Sequence, residues 1–449
     1  MTQRLIVIGG VAAGMSAAAK AKRVNRAMEV VVYEKGPYIS YAACGMPYFI
    51  AGDVADYRSL LARTPEQMAK QGVEVHVRHA VTAIDPAAQT VTVRDLEGGR
   101  EFAQRYDRLV IATGARPTQP PLPGADLEGV FVLRALEEGQ AIRRFLVEHG
   151  EHRPARALIL GGGYVGVEMA ETFRRLGLDV KMVVRSGQVL RTALDDDVRK
   201  LVEAELARQG VEVMAGKPVA CEGTRRVEAI VTDDGRYPCD VVLAGVGVRP
   251  EVALAQAAGV ALGGTGAIAT DGHMQTNLPG VYAAGDCTEA FHLVTGKPAY
   301  VPLGSTANKQ GRVAGTNAAG GETTFGGIVG TMVVRVFDLA VARTGLTAAQ
   351  AQGLGYTVRA PLIEDTDASR YFPGVAPIHV KLVVDEGSDR LLGGQIAGRR
   401  GVAKRIDVLA TALHHQLTVT DLQQLDLSYA PPFAPVWDPI LVAANVAAK

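Results

Sequence analysis

The chain has 449 residues, 48% of them hydrophobic, with 51 glycines and a formal net charge of zero. That length suggests two to four domains with ample material for large cores, and the glycines suit an α/β chain with many tight turns rather than a disordered or fibrous one. Zero net charge offers nucleic acid and anionic membrane no bulk attraction, and no apolar run is long enough for a transmembrane helix.

Leu5–Ile8 reads as a short buried strand ended by Gly9-Gly10. Ala12–Val24, Ala-rich with cations at its end, reads as a helix, and Glu29–Tyr33 as a second strand. This is a βαβ unit. Thr90–Arg94 and Leu109–Ala112 are further strand candidates. Arg116-Pro117 and Pro120-Pro121-Leu122-Pro123-Gly124 form a breaker-rich stretch, read as a domain boundary. A second βαβ unit runs from Ala157–Leu160 through a Gly-rich turn and a helix to Leu176, then Val180–Val184. Val241–Ala244 and Val281–Ala284 are buried-strand candidates. After about residue 320 the pattern changes. Met332–Phe337, Thr357–Leu362 and His379–Val384 read as antiparallel strands, with helices at Thr347–Gln352 and Val402–His415. The expected fold is α/β: two doubly wound Rossmann-like domains plus a C-terminal α+β domain.

The first Gly-rich turn departs from G-x-G-x-x-G, which needs Gly at 9, 11 and 14. Gly9 and Gly14 are present, but position 11 is Val11, leaving Gly10 to compensate. Glu34 follows where a carboxylate would accept bonds from adenosine ribose hydroxyls. Thr276–Asp286 ends in Gly285-Asp286, like the second FAD motif of flavoprotein reductases. Ala112-Thr113-Gly114 resembles their short linking segment. Together, in this order, they imply bound FAD. The second turn is intact at Gly161, Gly163 and Gly166, and its helix N-terminus would face a pyrophosphate. Val184-Arg185 closes the second strand. A missing carboxylate and a present guanidinium favour the 2′-phosphate of NADPH, with NADH possible.

Four cysteines, at 44, 221, 239 and 287, show no C-x-x-C spacing, which suits a reducing, cytoplasmic setting. Nine histidines show no metal-ligand spacing, so no metal is expected. Cys44 lies in Ser40-Tyr41-Ala42-Ala43-Cys44-Gly45-Met46-Pro47. Gly45-Met46-Pro47 could start a helix, and a thiol at a helix N-terminus has a lowered pKa. Cys221, Cys239 and Cys287 are assigned to structure.

With these residues the chain resembles the flavin-dependent pyridine nucleotide-disulfide oxidoreductases over its full length. It is most like their single-cysteine branch, and within that the coenzyme A disulfide reductases. Two-cysteine members carry C-x4-C, whereas here Phe49 stands five positions after Cys44. The branch's peroxidases and oxidases place a His where Ala12 stands, which disfavours a peroxide or oxygen role. The resemblance implies FAD held by 1–114 and 251–320, NAD(P)H by 115–250, and dimerisation by 321–449. It implies catalysis by Cys44 through a mixed disulfide with coenzyme A, helped by Tyr371 and Tyr429 of the other subunit of a homodimer. Further cofactor contacts implied are Lys35, Tyr164, Val165, Glu168, Gly247 and Pro302. Substrate contacts implied are Ser40, Asn308, Lys22 and Arg23. The alternatives are a coenzyme A-dependent sulfur or polysulfide reductase and an NAD(P)H oxidase. The chain ends at Lys449, so the rhodanese extension of some relatives is expected to be missing.

Overall fold

The computed structural model describes residues 3–118, 120–147 and 153–448. Two five-stranded parallel sheets carry the N-terminal two-thirds. The first runs Val281–Ala283, Arg108–Ile111, Arg4–Ile8, Glu29–Tyr33, Val73–His76. The second runs Val130–Phe131, Val241–Ala244, Arg156–Leu160, Asp179–Val184, Val211–Ala215. Each puts its first βαβ strand at the centre. Leu5, Ile6 and Val7 are fully buried, and Leu158–Leu160 nearly so. Strands covered on both faces read as unbroken apolar runs, and each such side chain stabilises the fold by about 1.5–3 kcal/mol.

The two units repeat more than their Gly-rich turns. Each interrupts its sheet with a three-stranded antiparallel meander, 79–105 in the first and 218–238 in the second. The sequence reading found only one strand of the first meander. Short strands with exposed alternate residues leave a weak period-2 signal. Across the junction, Ala115–Pro117 pairs antiparallel with Val248–Pro250, so both crossings between the units lie side by side.

Helix Ala12–Val24 packs on helix Gly304–Ala318. A Cβ at Gly311 or Gly315 would come within 2.2 Å of the carbonyl oxygens of Ala13 or Ala17, so these glycines permit the approach. The C-terminal sheet is antiparallel, ordered Met332–Val336, Leu339–Gly345, Leu391–Gly398, Pro377–Asp385, Val358–Arg359. The expected strand Thr357–Leu362 is instead two pieces, Val358–Arg359 and Leu362–Thr366, both on Pro377–Asp385. Pro361 has no N–H for the ladder, so the strand breaks there. The helix expected over Thr347–Gln352 begins at Ala348, with Thr347 and Gln350 forming a capping box.

Candidate functional site

Cys44 sits in a single 3₁₀ turn, Ala43–Gly45, that leads into the helix Met46–Ala51. Ala42 N–H donates to Leu60 O at 2.9 Å and Gly45 N–H to Ala42 O at 2.9 Å, which fix the turn. Side chains from three parts of the chain grip the helix. Thr172 Oγ1 donates to Pro47 O at 3.2 Å. Arg143 lies over the Phe49 ring at 4.7 Å and donates to Phe49 O. Arg335 of the C-terminal sheet lies over Tyr48 at 5.0 Å and pairs with Glu171 at 2.6 Å. Arg175 closes the cluster by pairing with Asp53.

Cys44 is exposed, while Cys221, Cys239 and Cys287 are buried. The expected lowering of the Cys44 thiol pKa is not what the structure gives. Protein mass behind the sulfur pushes its pKa up, Glu168 and Asp286 add to the rise, and Arg134 opposes it. The following helix has only six residues and Gly45, not Cys44, is its N-cap, so its dipole is a small term. Burial and neighbouring Glu171 raise Glu168 itself to about 7, partly opposed by Arg335.

Two helix N-termini are open. Helix Ala12–Val24 starts at Val11 and helix Tyr164–Arg175 at Gly163. Neither has a side-chain cap or an acidic residue in its first turn. By contrast Thr64, Thr347, Thr418 and Asp438 cap their helices. Uncapped amides at a helix start suit a phosphate. Gly9 has φ +100°, and a Cβ at Gly14 would fall 1.8 Å from Gly9 O, so both glycines are obligatory. Val11 has φ −101°, which any residue adopts, and this explains how Val replaces the middle glycine. At Gly163 an added Cβ would meet nothing within 4 Å, leaving room for a dinucleotide.

Glu34 is buried and accepts from Gly10 N–H at 2.6 Å and Gly36 N–H at 2.7 Å. Asp286 accepts from Arg134 Nη2 at 2.9 Å, and Gly285 N–H donates to the buried Gln310 at 2.9 Å. Ala112 O lies against Gly9. Thr113 Oγ1 donates to Glu251 O at 2.6 Å and Glu251 N–H to Gly114 O at 2.9 Å. Thr118 N–H donates to Gly247 O at 2.8 Å. Glu34, Asp286 and the first helix start can therefore hold FAD: carboxylates for hydroxyls, amides for phosphates. Arg134 and Gln310 were missed because no local motif marks a partner from another segment.

Lys35, Tyr164, Val165 and Arg185 are exposed, and Pro302 is half-buried just before helix Gly304–Ala318. Ser40 takes a positive φ of 48° and donates its N–H to Gly10 O at 2.8 Å. Asn308 accepts from Ser16 Oγ at 2.6 Å and donates to Gly304 O at 2.8 Å, tying the two packed helices together. Lys22 is turned inward onto Met28 O at 2.7 Å, whereas Arg23 stays exposed. Tyr371 and Tyr429, far apart in sequence, come together: the neighbouring Tyr371 hydroxyl pushes the Tyr429 phenol up. Both are exposed on a C-terminal face with Phe433, Val436 and Trp437.

The family profile of the pyridine nucleotide-disulphide oxidoreductases matches residues 3–311, and that of their dimerisation domain matches 331–439. The NAD(P)H coenzyme A polysulfide/persulfide reductase of Pyrococcus horikoshii is 40% identical, covering 99% of this chain and 98% of that one. The reduced CoADR-RHD of Bacillus anthracis has a TM-score of 0.96 at 34% identity, covering 100% of this chain and 80% of that one. An engineered water-forming NADPH oxidase, bound to NADPH, has a TM-score of 0.95 at 29% identity, covering 99% of this chain and 98% of that one. Its changes include consecutive Asp to Ala, Ala to Arg and Met to Ser, then Pro to Arg five positions later. No helix among the described residues is long and apolar enough to cross a membrane, and no described group of His, Cys, Asp and Glu could hold a metal.

Proposed function

We propose a reaction from one premise: the chain belongs to the pyridine nucleotide-disulphide oxidoreductase family. The protein is an oxidoreductase of that family with a dimerisation domain. Our reading is that it uses NADPH to reduce a sulfur–sulfur bond in a coenzyme A-linked substrate, with Cys44 as its single nucleophile. The observation that carries this is the contrast among the thiols: Cys44 alone is exposed, and the other three are buried.

The Cys44 thiolate attacks coenzyme A disulfide, forming Cys44–S–S–CoA and releasing one coenzyme A thiolate. FAD, when bound, would accept a hydride from NADPH and deliver two electrons to sulfur. Those two electrons cleave the mixed disulfide, which returns Cys44 as thiolate and, with one proton, releases the second coenzyme A thiol. Tyr371 and Tyr429, from the partner subunit in this proposal, hydrogen-bond the departing sulfur. A phenol is a weak acid, and Tyr429 is held weaker still, which suits that better than full proton donation. The residues 1–114 and 251–320 hold FAD, 115–250 NADPH, and 321–449 the dimer.

NADPH is favoured by two exposed cations. Arg185 and Ser186, then Arg191 five positions later, repeat the Arg, Ser and Arg of the NADPH-bound oxidase, with Val184 before them where it carries Ala. Among the described residues neither Arg185 nor Arg191 has an ion pair. Lys20, Arg23, Lys309 and Arg312, on helices Ala12–Val24 and Gly304–Ala318, are likewise unpaired, and they offer charge to the phosphates of coenzyme A.

The second reading, a coenzyme A-dependent persulfide or polysulfide reductase, is favoured by the 40% identity to the Pyrococcus enzyme. It uses the same thiol and the same electrons. NADPH oxidation is measured with coenzyme A disulfide, coenzyme A persulfide, polysulfide and oxygen. Fastest turnover with the disulfide supports the first reading, and with persulfide or polysulfide the second. Oxygen as the best acceptor overturns both.

A further inference from the structure

Between strand Asp179–Val184 and helix Asp196–Arg208 the chain forms the loop 185–195, which presents Arg185 and Arg191 to solvent. Midway along, the loop is tied to its own Gly-rich turn, where Leu190 N–H donates to Gly162 O at 2.7 Å and Val189 is buried. Towards its end it is tied to the C-terminal domain. Arg343 Nη1 donates to Thr192 O and to Ala193 O, each at 3.2 Å, and Gln350 Nε2 donates to Thr192 O at 3.3 Å.

Asp195 is the N-cap residue of its helix, yet its side chain makes no cap bond there. Its carboxylate instead accepts from Gln395 Nε2 at 2.6 Å and Ala348 N–H at 3.0 Å, and its own N–H donates to Gln395 Oε1 at 2.9 Å. Lys381, also buried, reaches Asp197 at 2.7 Å and Asp195 at 3.5 Å. Burial lowers the Arg343 pKa, with Tyr164 and Asp195 opposing, and among the described residues it has no carboxylate partner within ion-pair distance. A guanidinium desolvated with backbone carbonyls as its hydrogen-bond acceptors is costly for stability alone. Its position is better explained by what those carbonyls carry.

We propose that the dimerisation domain sets the pyridine-nucleotide preference: Arg343 and Gln395 are positioning residues that hold the 185–195 loop so that Arg185 and Arg191 meet the 2′-phosphate of NADPH. This deepens, and rests on, the NADPH reading above. The chemistry recognised is a ribose phosphomonoester. Arg191 lies between the Leu190 anchor and the anchor at Thr192 and Ala193, while Arg185 lies between the end of its strand and Leu190; the anchor in the C-terminal domain can be cut with the Leu190–Gly162 bond left in place. Releasing it leaves both cations present but the position of Arg191 unset, which weakens a directed bond and spares contacts made elsewhere on the nucleotide.

The test uses the flavin-loaded protein and two probes, 2′,5′-ADP and 5′-AMP, titrated calorimetrically, together with KM and kcat for NADPH and NADH. Arg343→Met should weaken 2′,5′-ADP binding about tenfold and raise KM for NADPH alike, with 5′-AMP affinity, NADH kinetics and kcat within about twofold. Arg343→Lys should restore part of the loss. If Arg343→Met lowers flavin content or dimer yield, Gln350→Ala, which removes the bond to Thr192 O and the Gln350 half of the Thr347 capping box, should shift the same ratio in the same direction. Equal weakening of both probes, or an unchanged ratio in every variant, overturns the proposal. Arg185→Ala/Arg191→Ala separates the two claims. If that variant keeps the wild-type ratio, the NADPH reading itself fails. If it loses the ratio and Arg343→Met and Gln350→Ala keep it, only the positioning role fails.

Discussion

Replacing Glu168 by Gln removes a charge placed where ionisation is costly. Burial and Glu171 hold this carboxyl at about 7 against an ordinary 4.5. At 1.36 kcal/mol per pKa step, the ionised form carries about 3 kcal/mol of penalty in the folded chain. The folded value lies above the unfolded one. The group therefore costs nothing below pH 4.5, and the folded state loses stability progressively as pH rises from 4.5 to about 7. Gln has nearly the same shape and no charge to lose. Urea unfolding of the flavin-loaded Glu168→Gln protein should match wild type at pH 4.5 and exceed it by about 2–3 kcal/mol at pH 8.5, the lower figure allowing for solvent that reaches the site. The same substitution removes the charge that raises the Cys44 thiol most. The pH profile of Cys44 alkylation by iodoacetamide should move to lower pH. Stability differences that are equal at the two pH values would refute the burial argument. An unmoved alkylation profile would refute the coupling to Cys44.

Cys44→Ser should keep FAD and the dimer but lose sulfur–sulfur reduction, since the other three thiols are buried; steady-state NADPH oxidation reads this, and near-native turnover would remove Cys44 from the reaction. Gly14→Ala should abolish flavin binding, because the new methyl would sit 1.8 Å from Gly9 O; the absorbance of the purified protein is the check. Arg185→Ala should weaken NADPH use about ten- to a hundredfold, the loss of one charge-assisted bond, and leave NADH nearly unaffected. Mixing Cys44→Ser chains with Tyr371→Phe/Tyr429→Phe chains should restore about half of wild-type activity per heterodimer if the tyrosines act across the interface, since one site then carries no lesion. No recovery after confirmed subunit exchange would place the tyrosines with their own chain.

Both central strands and both Gly-rich turns were legible because they are local. Leu5–Ile8 and Ala157–Leu160 are apolar throughout, as strands covered on both faces must be. Each turn needs glycine where a Cβ would strike a carbonyl. The lone exposed thiol was legible too, from the absence of a second cysteine nearby. What the sequence misjudged depended on surroundings. The helix after Cys44 suggested a lowered thiol pKa, but its short length and the mass of Glu168, Asp286 and packed protein reverse the sign.

By itself, then, the chain determined two dinucleotide units, one candidate sulfur and a separate tail, since periodicity, turn chemistry and residue identity suffice for those. Only the tertiary structure could decide which groups face one another. It brought Tyr371 beside Tyr429, Arg335 over Tyr48 behind the Cys44 turn, and Arg343 under a loop about 150 residues away. Such pairs leave no local trace, because long-range proximity is set by how sheets and helices pack, and the charge, burial and reach of each group follow from that packing.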